Sequence, residues 1–294
     1  MGIDTGPFTN SSSVLIVNYN EANKLASTLP KWEDVRSKGY IESIHVFDNN
    51  SSDGSCHLVS KAFPSVNLIS SKKNLGWGSA VNKGIFNLTE DLVFLSTPDM
   101  HITDRWCSKL LSHMSSNNDV GAATGIILNP SGKVVGRGLE MNAWFRFPPS
   151  PPSETPRAVD AGRGSGLLVR RKAFESVRGV DDDIFLQGGD INLCLKMKED
   201  GWGVFFVPGA LAWHRDSSSK KNLEYYNSRN FYVLAFRHLN KFNLPLAILY
   251  NSVYHTIIYS IMFIVGKKSY SELKDNIKGF FDGIVYPFKR YIGF

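Results

Sequence analysis

Four short apolar runs in the first third of the chain stop abruptly, three of them at clusters of Asn, Asp, Ser or Thr. Ser13–Val17 ends at Asn18-Tyr19-Asn20, Ile44–Phe47 ends at Asp48 to Ser55, Val66–Ile69 is a third run, and Leu92–Leu95 ends at Thr97-Pro98-Asp99. The first of these reads as a buried parallel strand and the others as further short strands. Between them lie stretches that read as helices: about 21–37 (with Pro30 marking its end or a break), 55–62 and 80–87. Strands alternating with helices at this spacing imply an α/β chain with a doubly wound, mostly parallel sheet and helices on both faces. Ligands of such sheets sit beyond the carboxyl ends of the strands, where three of these polar clusters fall.

The 294 residues are 43% hydrophobic and 20% charged, enough for one large domain with an appendage and unlike a disordered chain. Cys56, Cys107 and Cys194 are scattered and form no CxxC pair, which argues against a disulfide framework or a zinc site and fits a reducing cytosol. The N-terminal residues form a polar leader without the basic-then-apolar pattern of a secretion signal. The net charge is +6, and between Arg237 and Phe294 eight Lys/Arg face three acids, so the excess sits largely in the tail and the body is close to neutral. A nucleic-acid binder is not built this way.

Five motifs carry chemistry. Asp48, directly after a strand, is placed to accept hydrogen bonds from a nucleobase or a ribose, whereas Asp53 and Gly54 read as turn chemistry. In Asn74-Leu75-Gly76-Trp77-Gly78, the glycines permit close backbone approach to a ligand, and the following helix N-terminus favours anionic groups. This turn follows the third strand rather than the first and lacks a ribose-binding acid at dinucleotide spacing, which argues against an NAD enzyme. Asp99 can hold Mg²⁺ or Mn²⁺, which bridges protein carboxylates to substrate phosphates, or it can serve as a turn residue. Asp190 falls in the first turn of a helix after Gly188-Gly189. There the helix dipole favours negative charge and a base could take the proton of an acceptor hydroxyl; the alternative is an N-cap without chemistry. His214 follows an apolar strand-like run and is either a metal ligand or structural.

In order, VNYN (17–20), DNNSSDGS (48–55), NLGWGSAVNKG (74–84), TPD (97–99), GSGLLVRRKAF (164–174), GDINLC (189–194), GWGVFFVPGALAWH (201–214) and YYNSRN (225–230) resemble family 2 glycosyltransferases of the GT-A fold, especially their bacterial rhamnosyltransferase-like branch. The resemblance runs from about Val14 to His238. It implies a nucleoside pocket lined by Asn18, Asn20 and Asp48, with Asn74, Gly76 and Asn82 near the diphosphate and ribose. It implies a divalent metal, Mn²⁺ or Mg²⁺, on Asp99 and His214, and Asp190 as the general base of an inverting transfer. Arg229 would steady the diphosphate or a lid. Two positions depart from the family pattern. Its Glu-Asp-x-Asp reads Gly189-Asp190-Ile191-Asn192, and its DxD opens with Thr97; Asp182 is a candidate auxiliary acid.

The resulting expectation is a GT-A domain over residues 1–240, with a nucleotide-binding half at about 13–100 and an acceptor and catalytic half at about 101–240. A helical appendage over 241–294 follows. Leu244–Val265 is long enough to span a bilayer, but Asn251, Ser252, His255, Thr256 and Ser260 interrupt it, so an interfacial or packed helix fits better. Lys267, Lys268, Phe280, Phe281, Tyr286, Phe288, Lys289, Arg290 and Tyr291 suit an anionic lipid surface, and a homodimer through this region is the alternative. The expected activity moves a sugar from dTDP-rhamnose or a UDP-sugar onto a lipid-linked glycan, at the cytoplasmic face of the inner membrane as a peripheral protein. The rival is a catalytically silent nucleotide-sugar-binding or scaffold protein.

Overall fold

The computed structural model describes residues 10–214 and 223–292, without the side chains of His255, Thr256 and residues 288–292. Most of the polar leader, and the tail side chains Phe288, Lys289, Arg290 and Tyr291, therefore lie outside the described residues. The elements run β1 (Ser12–Asn18), α1 (Ala22–Ser37), β2 (Ser43–Asp48), α2 (Ser55–Ala62), β3 (Asn67–Ser70), α3 (Gly76–Ile85), β4 (Leu92–Ser96), β5 (Met100–His101), α4 (Asp104–Ser116) and β6 (Val120–Leu128). There follow β7 (Val134–Gly136), β8 (Arg157–Ala158), β9 (Gly166–Arg170), α5 (Arg171–Ser176), α6 (Gly189–Glu199) and β10 (Gly203–His214). Three long helices come last: α7 (Leu223–His238), α8 (Asn243–Ile264) and α9 (Tyr270–Ile292).

The described residues divide into two compact units. The first holds the chain to Glu140, Pro149–Asp183 and Gly189–Ser217; the second holds Met141–Pro148, Ile184–Gly188 and Ser218–Phe294. In the first unit the strands form one mixed sheet in the order β3-β2-β1-β4-β9-β6-β10-β5, with β7 on β6 and β8 on β10. β1, β2, β3 and β4 are mutually parallel, β10 runs parallel to β6, and β9 runs antiparallel between β4 and β6.

Every residue of β1 is buried, as expected for a strand covered on both faces. Successive side chains point to opposite faces. Val14, Ile16 and Phe94 join one core with Trp32 of α1 and Trp106 of α4, whose rings meet that of Phe94 at 5.6 and 5.0 Å. Leu15 points the other way, against α3, where a Cβ on Gly84 would come within 2.3 Å of it. Thr103 caps α4, accepting the Trp106 amide at 3.0 Å.

The structure amends three expectations about elements. Pro30 neither ends nor breaks α1, which continues to Ser37; the ring sits on the exposed side while Leu29 and Trp32 bury the opposite face. Helix α3 starts at Gly76 rather than at Ala80. Asn74 Oδ1 accepts the Gly76 amide at 2.9 Å and Asn49 Oδ1 accepts the Leu75 amide at 2.8 Å, fixing the turn ahead of its first residue. Gly76 itself has φ +79°, a conformation that favours glycine.

The expected boundary near residue 240 also moves. Helix α7 belongs with α8 and α9, because α9 presents two glycines one turn apart to it. A Cβ on Gly279 would stand 2.3 Å from the Tyr225 carbonyl oxygen, and one on Gly283 would stand 2.8 Å from that of Arg229. Since neither backbone can yield locally, Gly279→Ala is expected to destabilise the chain by about 1–3 kcal/mol, the usual cost of overpacking. Thermal or urea denaturation measures it, and an unchanged midpoint would refute this packing.

Candidate functional site

Asn18 and Asp48 are the last residues of β1 and β2 and are direct partners in the parallel register. Both side chains are buried, and Asn18 Nδ2 donates to Asp48 Oδ2 at 2.8 Å and to Ser51 Oγ at 3.1 Å. The other Asp48 oxygen accepts the Ser51 amide at 2.8 Å. Asn20, in the left-handed region at φ 53°, accepts the Ser52 amide at 2.7 Å, and its own amide donates to Ser51 Oγ at 2.9 Å. The 18–20 and 48–53 loops are therefore tied into one wall. Asn18 Oδ1 is buried without a hydrogen-bond partner among the described residues. Leaving such an acceptor unmade costs about 1–3 kcal/mol, which a ligand N–H or O–H can recover.

Asp53 completes that wall as a structural residue, accepting the Ala22 amide at 2.7 Å and bonding to Ser55. Burial alone would raise its carboxyl pKa, but bonds from the Ser55 hydroxyl and the Ala22 and Ser55 amides outweigh it and hold it below the usual range.

Asp99 lies just past β4 and is buried; its Oδ1 accepts from Thr97 Oγ1 at 2.6 Å and lies 3.3 Å from His214 Nε2. His214 is brought there by the antiparallel pairing of β10 with β5, in which it stands opposite Met100. Thr97, where the family pattern has an acid, thus serves to orient Asp99. Among the described residues no cluster of three or more His, Cys, Asp or Glu could hold an ion. A two-ligand pair of one carboxylate and one imidazole still fits Mg²⁺ or Mn²⁺, because these ions take their remaining oxygens from substrate phosphates and water.

Asp190 lies in the first turn of α6, half-buried, with Oδ2 accepting the Gly164 amide at 2.9 Å. Gly164 leads into β9, whose first residue, Gly166, pairs with Ser96 at the carboxyl end of β4. Asp48, Asp99 and Asp190 are therefore all borne on the same edge of one sheet.

The departures around Asp190 have structural explanations. Gly189 faces Trp77, and a Cβ there would lie 3.0 Å from the indole; a Cβ on Gly164 would lie 2.8 Å from the same ring. An acid at 189 would compete with Trp77 for that space. Asn192 is fully buried, accepting the Asp181 amide and donating to Asp181 Oδ2, both at 2.9 Å. An ionised acid there would face Asp181 without a proton to give.

The remaining expected residues distribute as follows. Asn74 forms the Gly76 turn. The Asn82 side chain, expected near the diphosphate and ribose, accepts the Val180 amide at 2.9 Å and donates to the Val180 carbonyl at 2.7 Å, so it ties α3 to the segment preceding α6. Asp182 is exposed and accepts from Ser79 Oγ at 3.1 Å and Asn82 Nδ2 at 3.3 Å. Arg229 lies in the second unit, donating to Asn230 Oδ1 at 2.6 Å and covering the Tyr286 ring at 5.3 Å.

Sequence reasoning passed over Asn49, Trp77 and Lys24. Asn49 Nδ2 donates to the Gly76 carbonyl at 3.0 Å, and its position beside Asp48 in a strand-end cluster was the available signal. Lys24, one turn into α1, bonds Glu21 at 2.9 Å and lies 3.9 Å from Asp99 Oδ2; nothing in its local sequence marks it.

The mixed sheet and the flanking helices define the GT-A fold of glycosyltransferases. Two solved structures share this fold. A crystal structure of GalNAc-T7 with UDP, GalNAc and Mn²⁺ superposes with a TM-score of 0.61 at 15% identity, covering 79% of this chain and 52% of the other, so this chain spans about half its length. The mannosyltransferase PcManGT from Pyrobaculum calidifontis, in complex with GDP-Man and Mn²⁺, gives 0.58 at 14% identity over 99% of this chain and 90% of the other. Residues 13–178 match the family described as glycosyl transferase family 2, and the chain belongs to that family. It is similar to the N-acetylglucosaminyl-diphospho-decaprenol L-rhamnosyltransferase of Mycobacterium tuberculosis, 29% identical over 241 residues, covering 69% of this chain and 78% of the relative. It is also similar to the O-antigen biosynthesis protein RfbC of Myxococcus xanthus, 27% identical over 146 residues, covering 45% of this chain and 11% of that protein. The mycobacterial relative fits the rhamnosyltransferase-like branch that the motifs resemble.

The ammonium of Lys24, 3.9 Å from Asp99 Oδ2, would compete with a cation bound there. Lys24→Met is expected to tighten Mn²⁺ binding in the presence of a nucleoside diphosphate about fivefold, from roughly 1 kcal/mol of charge interaction at this separation in a solvated setting. Titration calorimetry or Mn²⁺ paramagnetic resonance reads it; unchanged or weaker binding would remove Lys24 from the site's electrostatics.

Proposed function

We propose that this glycosyltransferase moves a sugar, with inversion, from a nucleotide-diphosphate donor to a hydroxyl of a lipid-linked glycan in cell-surface polysaccharide synthesis. dTDP-rhamnose is the first choice of donor and a UDP-sugar the second; the activity of the mycobacterial relative, an N-acetylglucosaminyl-diphospho-decaprenol L-rhamnosyltransferase, supports rhamnose and a polyprenyl-diphosphate acceptor. The observation that carries the reading is the convergence of three groups on one sheet edge: the Asn18–Asp48 wall with its open acceptor, the Asp99–His214 pair and Asp190.

The base and ribose lie against Asn18, Asn20 and Asp48, where Asn18 Oδ1 takes a ligand donor. The diphosphate approaches the Asn74–Gly76 turn and the start of α3, whose N-terminal amides favour anions. Asp99 and His214 would hold Mn²⁺ or Mg²⁺, and the ion would supply positive charge against that of the departing diphosphate. Asp190 takes the proton from the acceptor hydroxyl as that oxygen bonds to the anomeric carbon and the bond to the diphosphate breaks. The Gly164 and Ile191 amides donate to the two Asp190 oxygens, each at 2.9 Å, and orient the carboxylate for this task. The structural uses of Gly189 and Asn192 weigh against the silent-scaffold reading, because neither change removes Asp190 from the edge. A lipid-linked acceptor implies work at the cytoplasmic face of the membrane.

Asp190→Asn keeps an acceptor for the Gly164 amide but removes the base. Transfer is expected to fall about 10²–10⁴-fold, the usual share of general-base catalysis. Stabilisation by dTDP- or UDP-sugar with Mn²⁺, read as a thermal shift, should persist. Retained turnover would take Asp190 out of the base role, and a wild-type chain stabilised by no nucleotide-sugar would sink the whole reading.

A further inference from the structure

Helix α8 is built with its polarity reversed. Leu246, Leu249, Tyr250, Val253, Ile257, Ile261 and Ile264 are exposed and recur at three- and four-residue spacing, so they line one face. Ile257 is 53% exposed, whereas Asn251 on another side of the same helix is fully buried. Asn251 donates to the carbonyls of Trp144 at 2.9 Å and Ala247 at 2.8 Å and accepts from Arg146 at 3.2 Å. Ser252 bonds the Ile248 carbonyl at 2.7 Å, and Tyr259 bonds Glu224. Asn251, Ser252 and Tyr259 turn their polar atoms toward protein while the apolar stripe faces outward, the reverse of a water-exposed helix. Trp144, stacked on Tyr250 at 4.6 Å, borders a shallow apolar groove of about 460 Å³ along this face.

Helix α9 repeats the theme with charge added. Tyr270, Lys274, Ile277, Lys278, Phe281 and Val285 are exposed and share one face. Lys241 and Lys267, both exposed, flank the two ends of α8. The acids nearby are largely engaged: Glu224 and Glu272 with Lys268 at 2.6 and 2.7 Å, and Asp282 with the Tyr225 hydroxyl at 3.0 Å, leaving Asp275 beside the two lysines.

We infer that the exposed faces of α8 and α9 form a docking surface for an anionic phospholipid bilayer, on which this helical unit lies without being threaded through it. Helix α8 has 22 residues and a mean hydropathy of 1.3, long and apolar enough to cross a membrane by length and composition. Crossing would, however, draw its packing partners α7 and α9 into hydrocarbon along with Glu224, Lys268, Glu272 and Asp282, which is costly. Lying flat buries the apolar stripes at the headgroup boundary and leaves the lysines among lipid phosphates. A second copy is the poorer occupant, because a self-complementary contact through these faces brings lysines against lysines. In choosing a bilayer, the inference rests on the proposed lipid-linked acceptor.

Flotation of the full chain with phosphatidylcholine vesicles, with and without phosphatidylglycerol, tests it. Binding is expected only with the anionic lipid and should weaken as salt rises. It should fall about tenfold or more in Lys274→Glu/Lys278→Glu, at roughly fivefold or more for each basic residue removed from an anionic surface, and also in Ile257→Glu/Phe281→Glu, which sets a carboxylate on each apolar stripe. The thermal shift produced by nucleotide-sugar should be the same in all three proteins. Failure to float with anionic vesicles, equal flotation of the charge-reversed variant, or a dimer in light scattering that Ile257→Glu/Phe281→Glu dissolves would each overturn the docking surface. Since nucleotide-sugar binding is read separately, such a failure leaves the transferase reading standing, and a lost thermal shift in the wild type counts against that reading instead.

Discussion

The parallel pairing of β1 with β2, closed by the hydrogen bond from Asn18 to Asp48, is the constraint on which the site depends. Two buried polar side chains at the ends of apolar strands are costly unless they satisfy each other. Here they do so at 2.8 Å, and the register that sets Val14 to Val17 beside Ile44 to Phe47 makes that bond unavoidable. Once Asp48 is fixed, Ser51, Asn20 and Asp53 draw the following loops into a wall. Asn49, the next residue, reaches back to hold the turn that opens α3. A single strand pairing thus organises the first two polar clusters and the glycine turn.

The second half of the edge is assembled by a change in strand direction. With β9 antiparallel between β4 and β6, its beginning rather than its end reaches the ligand side, which delivers Gly164 beside Asp190. Trp77 fills the space between the two glycines, and this packing accounts for a glycine where the family pattern has an acid. Asn192 trades a second acid for a neutral latch on Asp181. The family's acidic run is thinned for packing and hydrogen bonding, while the carboxylate assigned to the chemistry remains.

Much of this was legible in the sequence, because burial on both faces leaves a strand little choice but an unbroken apolar run. β1 and β4, buried along their whole length, and the polar clusters after them could be placed from that pattern, whereas β3, the last strand of the sheet and exposed at both ends, could be placed only from its short apolar run. The local rules failed where distant residues decide. Pro30 is a helix breaker by propensity but lies on the exposed side of a helix anchored by Leu29 and Trp32. The start of α3 is set by Asn49, 27 residues before Gly76. The grouping of α7 with the C-terminal helices depends on Gly279 and Gly283, whose meaning appears only when another backbone stands against them. Lys24 was invisible for the same reason: Asp99, which it approaches, lies past β4, far along the chain.

The account stands or falls on one ligand occupying the whole edge. The direct measurement is a crystal structure of the chain with Mn²⁺ and dTDP or UDP, with the anomalous signal of manganese recorded. The account predicts a manganese peak within coordinating distance of Asp99 and His214, with the base against Asp48 and Asn18 Oδ1 bonded to a nucleotide donor. A nucleotide or manganese ion bound away from this edge, touching none of Asp48, Asp99 and Asp190, would contradict it.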